Sequence, residues 1–229
     1  MIPQRDVEIS ANLPKGTAFW MPQREDMDEE GFSNFRDSWL ILDIPVNVAG
    51  VIIDFDARMA LAINAISPDE PIFEKYASAV EEERLTDIPG DPFANFPEIT
   101  LEGLDLGLSG LAHALAAIGC APAASCRSHE GPHSWSPFPV IEFACDRARF
   151  DWLQPLVRES GCGFDIDPSR PELLNIIACS IRETLDLAKS IVSGFSTQNP
   201  DFPEPPWRES ESGSAGDQIP HVDGQISLW

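Results

Sequence analysis

Four side chains that favour soft metals fall within fourteen residues: Cys120, Cys126, His129 and His133 form a C-x5-C-x2-H-x3-H array. Thiolate and imidazole are preferred zinc ligands; C-x2-H and H-x3-H are ordinary spacings, and C-x5-C is wider than the common C-x2-4-C. Zinc is therefore the cofactor this array would take. Gly131-Pro132 forces a turn between the histidines, which either converges them on a metal or shapes an exposed loop. A second chemistry uses Cys126 as nucleophile or redox thiol, with His129 as base or ion-pair partner and Arg127 favouring the thiolate. Ser125 and Arg127 would then line the pocket of a bound cofactor or small ligand, and Glu130 or Glu142 could orient the histidine. Against both stands a plain structural reading, with Cys120 and Cys126 as small buried residues at strand ends and the histidines as loop residues.

Elsewhere the chemistry is thinner. Asp54-Phe55-Asp56, following Val51-Ile52-Ile53, resembles the first motif of the haloacid dehalogenase-like superfamily, in which a strand ends in Asp-x-Asp. Arg58 departs from that pattern, and an Asp56 that caps a helix explains the motif better. His113 lies opposite a leucine stripe and reads as a solvated helical histidine. Walker, G-x-G-x-x-G, G-x-S-x-G and H-E-x-x-H motifs are absent from the sequence.

The elements that must position the Cys/His turn follow from pattern. Trp39 to Ile44 and Ala49 to Phe55 read as a hairpin, with Asp56 capping a helix through Ile66. A second helix covers 70–85. Leu104, Leu108, Leu111, Leu115 and Ile118 lie on one face of a third, which Gly119 stops. A strand around Cys120 to Ala124 enters the turn, and a buried strand over Pro139 to Cys145 leaves it. Asp146 or Asp151 caps the next helix. Gly163 to Asp167 and Leu173 to Ala178 pair through Pro168-Ser169-Arg170-Pro171, and Ser180-x-x-Glu183 is a capping box for the last helix, to Gly194. The order predicts an α+β fold: one compact domain at 37–194, with a mixed or antiparallel sheet and helices packed on it. An irregular acidic arm covers 1–36. Residues 195–229, rich in Pro, Ser and Glu, read as a disordered tail.

Charge bounds the partners. Fifteen Lys and Arg against 38 Asp and Glu give a net charge of -23. Nucleic acid and anionic membranes, which need basic patches, are not expected partners. A basic protein is, if the surface steers association as an inhibitor or immunity protein's would. Leu106 to Cys126 carries no charge and is long enough to span a bilayer, but its leucine period suits a buried amphipathic helix. Met1-Ile2-Pro3-Gln4-Arg5-Asp6 has neither a basic nor an apolar leader pattern, and five cysteines lack framework spacing, so reduced thiols in the cytoplasm are expected.

The helix ending at Gly119, the Ser125-Cys126-Arg127-Ser128-His129 turn and the strand Pro139-Val140-Ile141-Glu142-Phe143 together resemble a segment of small bacterial α/β proteins. They more distantly resemble the S-adenosylmethionine-dependent methyltransferases of tRNA wybutosine synthesis, where a Ser-Cys-x-Gly-basic turn lies between helix and strand. Ser128 departs from the Gly and His129 replaces an Arg. The resemblance, over about 60 residues, implies a fold and a pocket near Ser125 to His129; the acidity argues against a tRNA substrate, and the methyltransferase activity is not carried over. Two functions remain: a metal- or small-ligand-binding module, catalytic or not, with its site at this turn, and an acidic interaction protein.

Overall fold

From Val46 to Ile66 the apolar residues recur every three to four positions. Ala49, Ile53, Ala57, Ala60 and Ile63 are all buried on one side of a single helix. In the computed structural model, which describes residues 2–27, 41–42, 44–66, 69–82, 101, 103–129 and 134–208, a short α1 (Arg24–Met27) precedes this helix, α2 (Val46–Ile66). The hairpin expected here is thus a helix. Its β-branched residues suggested strands, yet their 3.6-residue period buries one stripe against α4, and packing of that stripe outweighs weak intrinsic preference. The expected strand at Trp39 to Ile44 falls largely outside the described residues; Ile41 and Leu42 form a turn.

After α2 come α3 (Glu70–Glu81), α4 (Ser109–Ala117), β1 (Ala121–Cys126), β2 (Val140–Ala144), α5 (Arg147–Glu159), β3 (Gly163–Asp165), β4 (Leu174–Ile177) and α6 (Ile181–Gln198). The strands form an antiparallel sheet in the order β1-β2-β4-β3. The chain leaves β2, crosses through α5 to the far edge at β3, and returns by a hairpin to fill the gap with β4. This is the expected α+β architecture, with the antiparallel alternative realised.

Alternate strand residues decide the layers. Ile141, Phe143, Leu174 and Ile176 face one way, into a core shared with Leu111, Leu115, Phe150, Leu153 and Leu187 from α4, α5 and α6. α4 sits between α2, α6 and β1, and every one of its residues is buried. It is therefore not amphipathic, and His113, expected in solvent, is buried with Nδ1 2.7 Å from the Ser109 carbonyl. Among the described residues no helix is long and apolar enough to cross a membrane.

Helix ends follow the expected chemistry. Asp146 caps α5 by accepting from the Arg149 amide at 2.8 Å, and Ser180 caps α6 by accepting from Arg182 at 3.2 Å. Gly119, just after α4, has φ +80°, and a Cβ there would lie 2.6 Å from Arg149 Nη2. That guanidinium is held by the Ile118 and Pro203 carbonyls at 2.7 and 2.8 Å. Left-handed strain and the blocked side chain together predict that Gly119→Ala destabilises by about 2 kcal/mol, read as a lower urea midpoint at unchanged slope. A loss under about 0.5 kcal/mol would mean Arg149 yields freely.

The boundaries drawn from composition move outward. Arg5 donates its amide to the Cys179 carbonyl at 2.7 Å, Ser10 accepts from Phe164 at 2.7 Å, and Phe19 tilts against Phe150 with centroids 5.6 Å apart. Residues 2–22 are thus a docked strap. At the other end α6 continues four residues past Gly194, and Trp207 is buried against Ala121, Ala123 and Ala144 on the second sheet face. The expected disorder of the tail from 209 onward lies outside the described residues.

Candidate functional site

Two chain segments meet at one end of β1. Cys126 is its last residue and is fully buried. His129 follows across a turn in which Ser128 takes φ +66°. Asp105 arrives from the loop before α4, where its carbonyl accepts the amides of Leu108 and Ser109, both at 3.0 Å. The carboxylate, the Cys126 sulfur and a ring nitrogen of His129 all lie within 4.8 Å of one another. His129 Nε2 is 3.8 Å from Asp105 Oδ2.

Backbone and strap hold this geometry. The Arg127 amide donates to Asp105 Oδ2 at 2.8 Å, fixing the carboxylate over the turn. Ser128 Oγ donates to the Pro137 carbonyl at 2.7 Å, closing the β1–β2 loop across its base. Arg5, from the strap, donates to Ser128 Oγ and to the Ser128 carbonyl, each at 3.0 Å. The left-handed Ser128 is thereby pinned from both sides, which its strained backbone requires. The Cys126 sulfur lies 3.6 Å from Ser134 Oγ and 3.9 Å from the Ser136 carbonyl.

Arg127 does not serve the thiol as expected. Its side chain turns away, into α3, where Nε donates to Glu81 Oε1 at 2.5 Å and Nη2 to Glu81 Oε2 at 3.1 Å, with Glu74 as the second carboxylate partner. Glu81 Oε1 also accepts the Leu106 amide at 2.9 Å. Burial raises the pKa of Glu81, opposed by Arg127; the net charge of two carboxylates around the guanidinium keeps Arg127 protonated. The residue is a clamp tying α3 and the Asp105 loop to the turn, so it is not a cofactor ligand.

Of the other predicted residues, Ser125 offers its carbonyl to Trp135 Nε1 at 3.2 Å. Cys120 leaves the metal set. It stands at the opposite end of β1, six residues from Cys126 and thus about 20 Å away along an extended strand, and it pairs with the buried Cys145. Strand geometry separates what sequence spacing had grouped. His133 and Glu130 lie outside the described residues. Glu142 is bound to Arg170 at 2.9 Å and does not orient His129. Cys126 and His129 are brought together as expected. Asp54 and Asp56 belong to a helix, where the first is exposed and the second fully buried, an arrangement that excludes the strand-borne Asp-x-Asp motif.

Asp105 is the candidate ligand that sequence reading missed. A signal existed: it is the last charge before the uncharged run Leu106 to Cys126, placed among leucines and glycines where an acid has no solvation role. The three ligand atoms suit a small divalent cation. Around a tetrahedral zinc, ligand atoms sit about 3.4 Å apart, given bonds of roughly 2.0–2.3 Å, so the 3.8 Å pair needs little change and no pair need close by more than about 1.4 Å. Oxygen, nitrogen and sulfur together match borderline-soft zinc better than calcium or magnesium, which take oxygen. Comparison with protein-family models, with curated proteins and with solved structures finds no match to this chain.

Proposed function

We propose that this protein is a zinc-binding module in which Asp105, Cys126 and His129 hold the metal and leave one coordination position for a small ligand or water. The observation that carries this reading is the convergence of three different ligand types, from the β1 end and the loop before α4, within 4.8 Å of one another. Among the described residues three side chains converge; zinc sites with three protein ligands keep an exchangeable position, whereas structural sites are closed by four. A metal there would polarise a bound carbonyl or lower the pKa of bound water toward about 7. Because Cys126 must lose its proton on binding, metal uptake is expected to weaken as pH falls.

Elemental analysis of protein purified without a histidine tag tests the proposal directly. About one zinc per chain is expected, lost in Cys126→Ala and in Asp105→Ala. Cys120→Ala should keep its metal, since its sulfur is a strand's length away. Protein that carries no zinc, and does not take it up from micromolar solution, would sink the proposal and return attention to the acidic surface and a basic protein partner.

A further inference from the structure

Among the described residues the exposed large apolar side chains are Val48, Val51 and Leu61, all on α2, and Trp135. Trp135 alone stands beside the Asp105, Cys126 and His129 cluster. The residue before it, Ser134, touches the Cys126 sulfur, and its own indole nitrogen donates to the carbonyl of Ser125, the residue preceding Cys126. That bond fixes the ring on the outer side of β1, an edge strand, and satisfies its single donor. The indole is nevertheless 49% exposed. An aromatic ring held by its polar atom with much of its surface in water is preorganised to stack, because no rotamer freedom remains to be lost on contact.

The floor of the cluster is buried Cys126, and its walls are half-buried, with side-chain exposures of 13% for His129 and 21% for Asp105. Its carboxylate is Asp105; Glu70 and Glu74 are paired with Arg5 and Arg127. The net charge of -23 disfavours polyanions such as nucleotides and favours neutral or cationic ligands. A metal with an open position supplies one anchor, and a rigid exposed indole supplies a second.

We propose that the ligand of this centre is a small neutral or cationic molecule that joins a metal-coordinating group to a planar ring, with the ring stacked on Trp135. This rests on the zinc reading above. Two hydroxamates that bind zinc through the same group separate the two anchors: acetohydroxamate, which has no ring, and benzohydroxamate, which has one. Calorimetric titration of zinc-loaded full-length protein is expected to show that Trp135→Ala weakens benzohydroxamate by roughly three- to tenfold and leaves acetohydroxamate unchanged. Trp135→Phe, which keeps a ring, should retain part of the preference. If both hydroxamates bind and Trp135→Ala leaves benzohydroxamate as tight as before, the stacking inference is overturned while the metal centre stands. If zinc is taken up but neither hydroxamate binds in a zinc-dependent way, the open position is refuted and the inference falls with it, while the metal site stands or falls on the zinc content alone.

Discussion

Arg127→Met is expected to cost the fold about 3–5 kcal/mol, the usual penalty for removing one partner of a buried ion pair. The guanidinium is the common partner of Glu74 and Glu81, and Ser78 Oγ joins at 3.3 Å. Met fills similar volume but leaves both carboxylates facing each other without a cation. Glu81, whose pKa burial already raises, would move further up and take a proton. Arg127→Lys should recover only part of the loss, since one ammonium cannot copy a fork that reaches two carboxylates and a hydroxyl. Urea denaturation measures the difference; a penalty below about 1 kcal/mol would show that α3 is not held by this clamp. Zinc uptake provides a separate readout. Asp105 is positioned by the Arg127 amide, not its side chain, so a folded Met variant should still bind metal.

Asp56→Ala is expected to be destabilising by a similar amount, with a pH dependence of its own. Asp56 lies inside α2 and is fully buried, yet its oxygens accept the amides of Gly107 at 2.6 Å and Gly110 at 2.8 Å. It thus caps α4 from a neighbouring helix. Removing it orphans two buried donors, at about 1–3 kcal/mol each. Burial pushes the carboxyl up to about 7, against the pull of those two amides, with Glu81 and Asp105 adding to the rise. The folded form therefore holds a proton that the unfolded chain, titrating near 4, has released. The stabilising linkage is complete below pH 4 and fades as pH rises through about 7. Wild-type minus variant stability should accordingly be largest in acid and shrink toward pH 8, by an amount on the order of a few kcal/mol. A difference that grows with pH would reverse this assignment. Comparing the two proteins cancels Glu142, whose pKa burial also raises; Glu81, coupled to Asp56, contributes to the measured difference.

Asp56 also shows where sequence reading stops. A carboxylate followed by a helical stretch reads as a local cap, because an N-cap acts within three residues. Here the capped helix begins more than fifty residues later, and no local pattern encodes that pairing. From β1 to α6 the order of elements was legible, since Asp146, Ser180, Gly119 and Gly161 punctuate it with caps and left-handed turns. Residues 46–55 were misread because Val, Ile and Phe satisfy either period over so short a window, and the buried stripe emerges only across the full helix. For the site, Cys126 and His129 were legible through proximity in sequence. Cys120 misled because six residues of strand carry a side chain farther than six residues of loop, and Asp105 was hidden because its approach is tertiary.

The docked strap has a consequence for how the chain is made. Arg5 reaches across to Cys179 and Ser128, and Ser10 to Phe164, so the strap is made well before the segments it docks on. At roughly 5–20 residues per second, about 10–35 seconds separate the emergence of Arg5 from that of Cys179. Until then the β3 edge has not formed and the Ser128 turn lacks its clasp. The strap closes the molecule over the turn, and a tether that holds the strap away from the body would be expected to loosen the turn that carries His129 before it disturbs the helices.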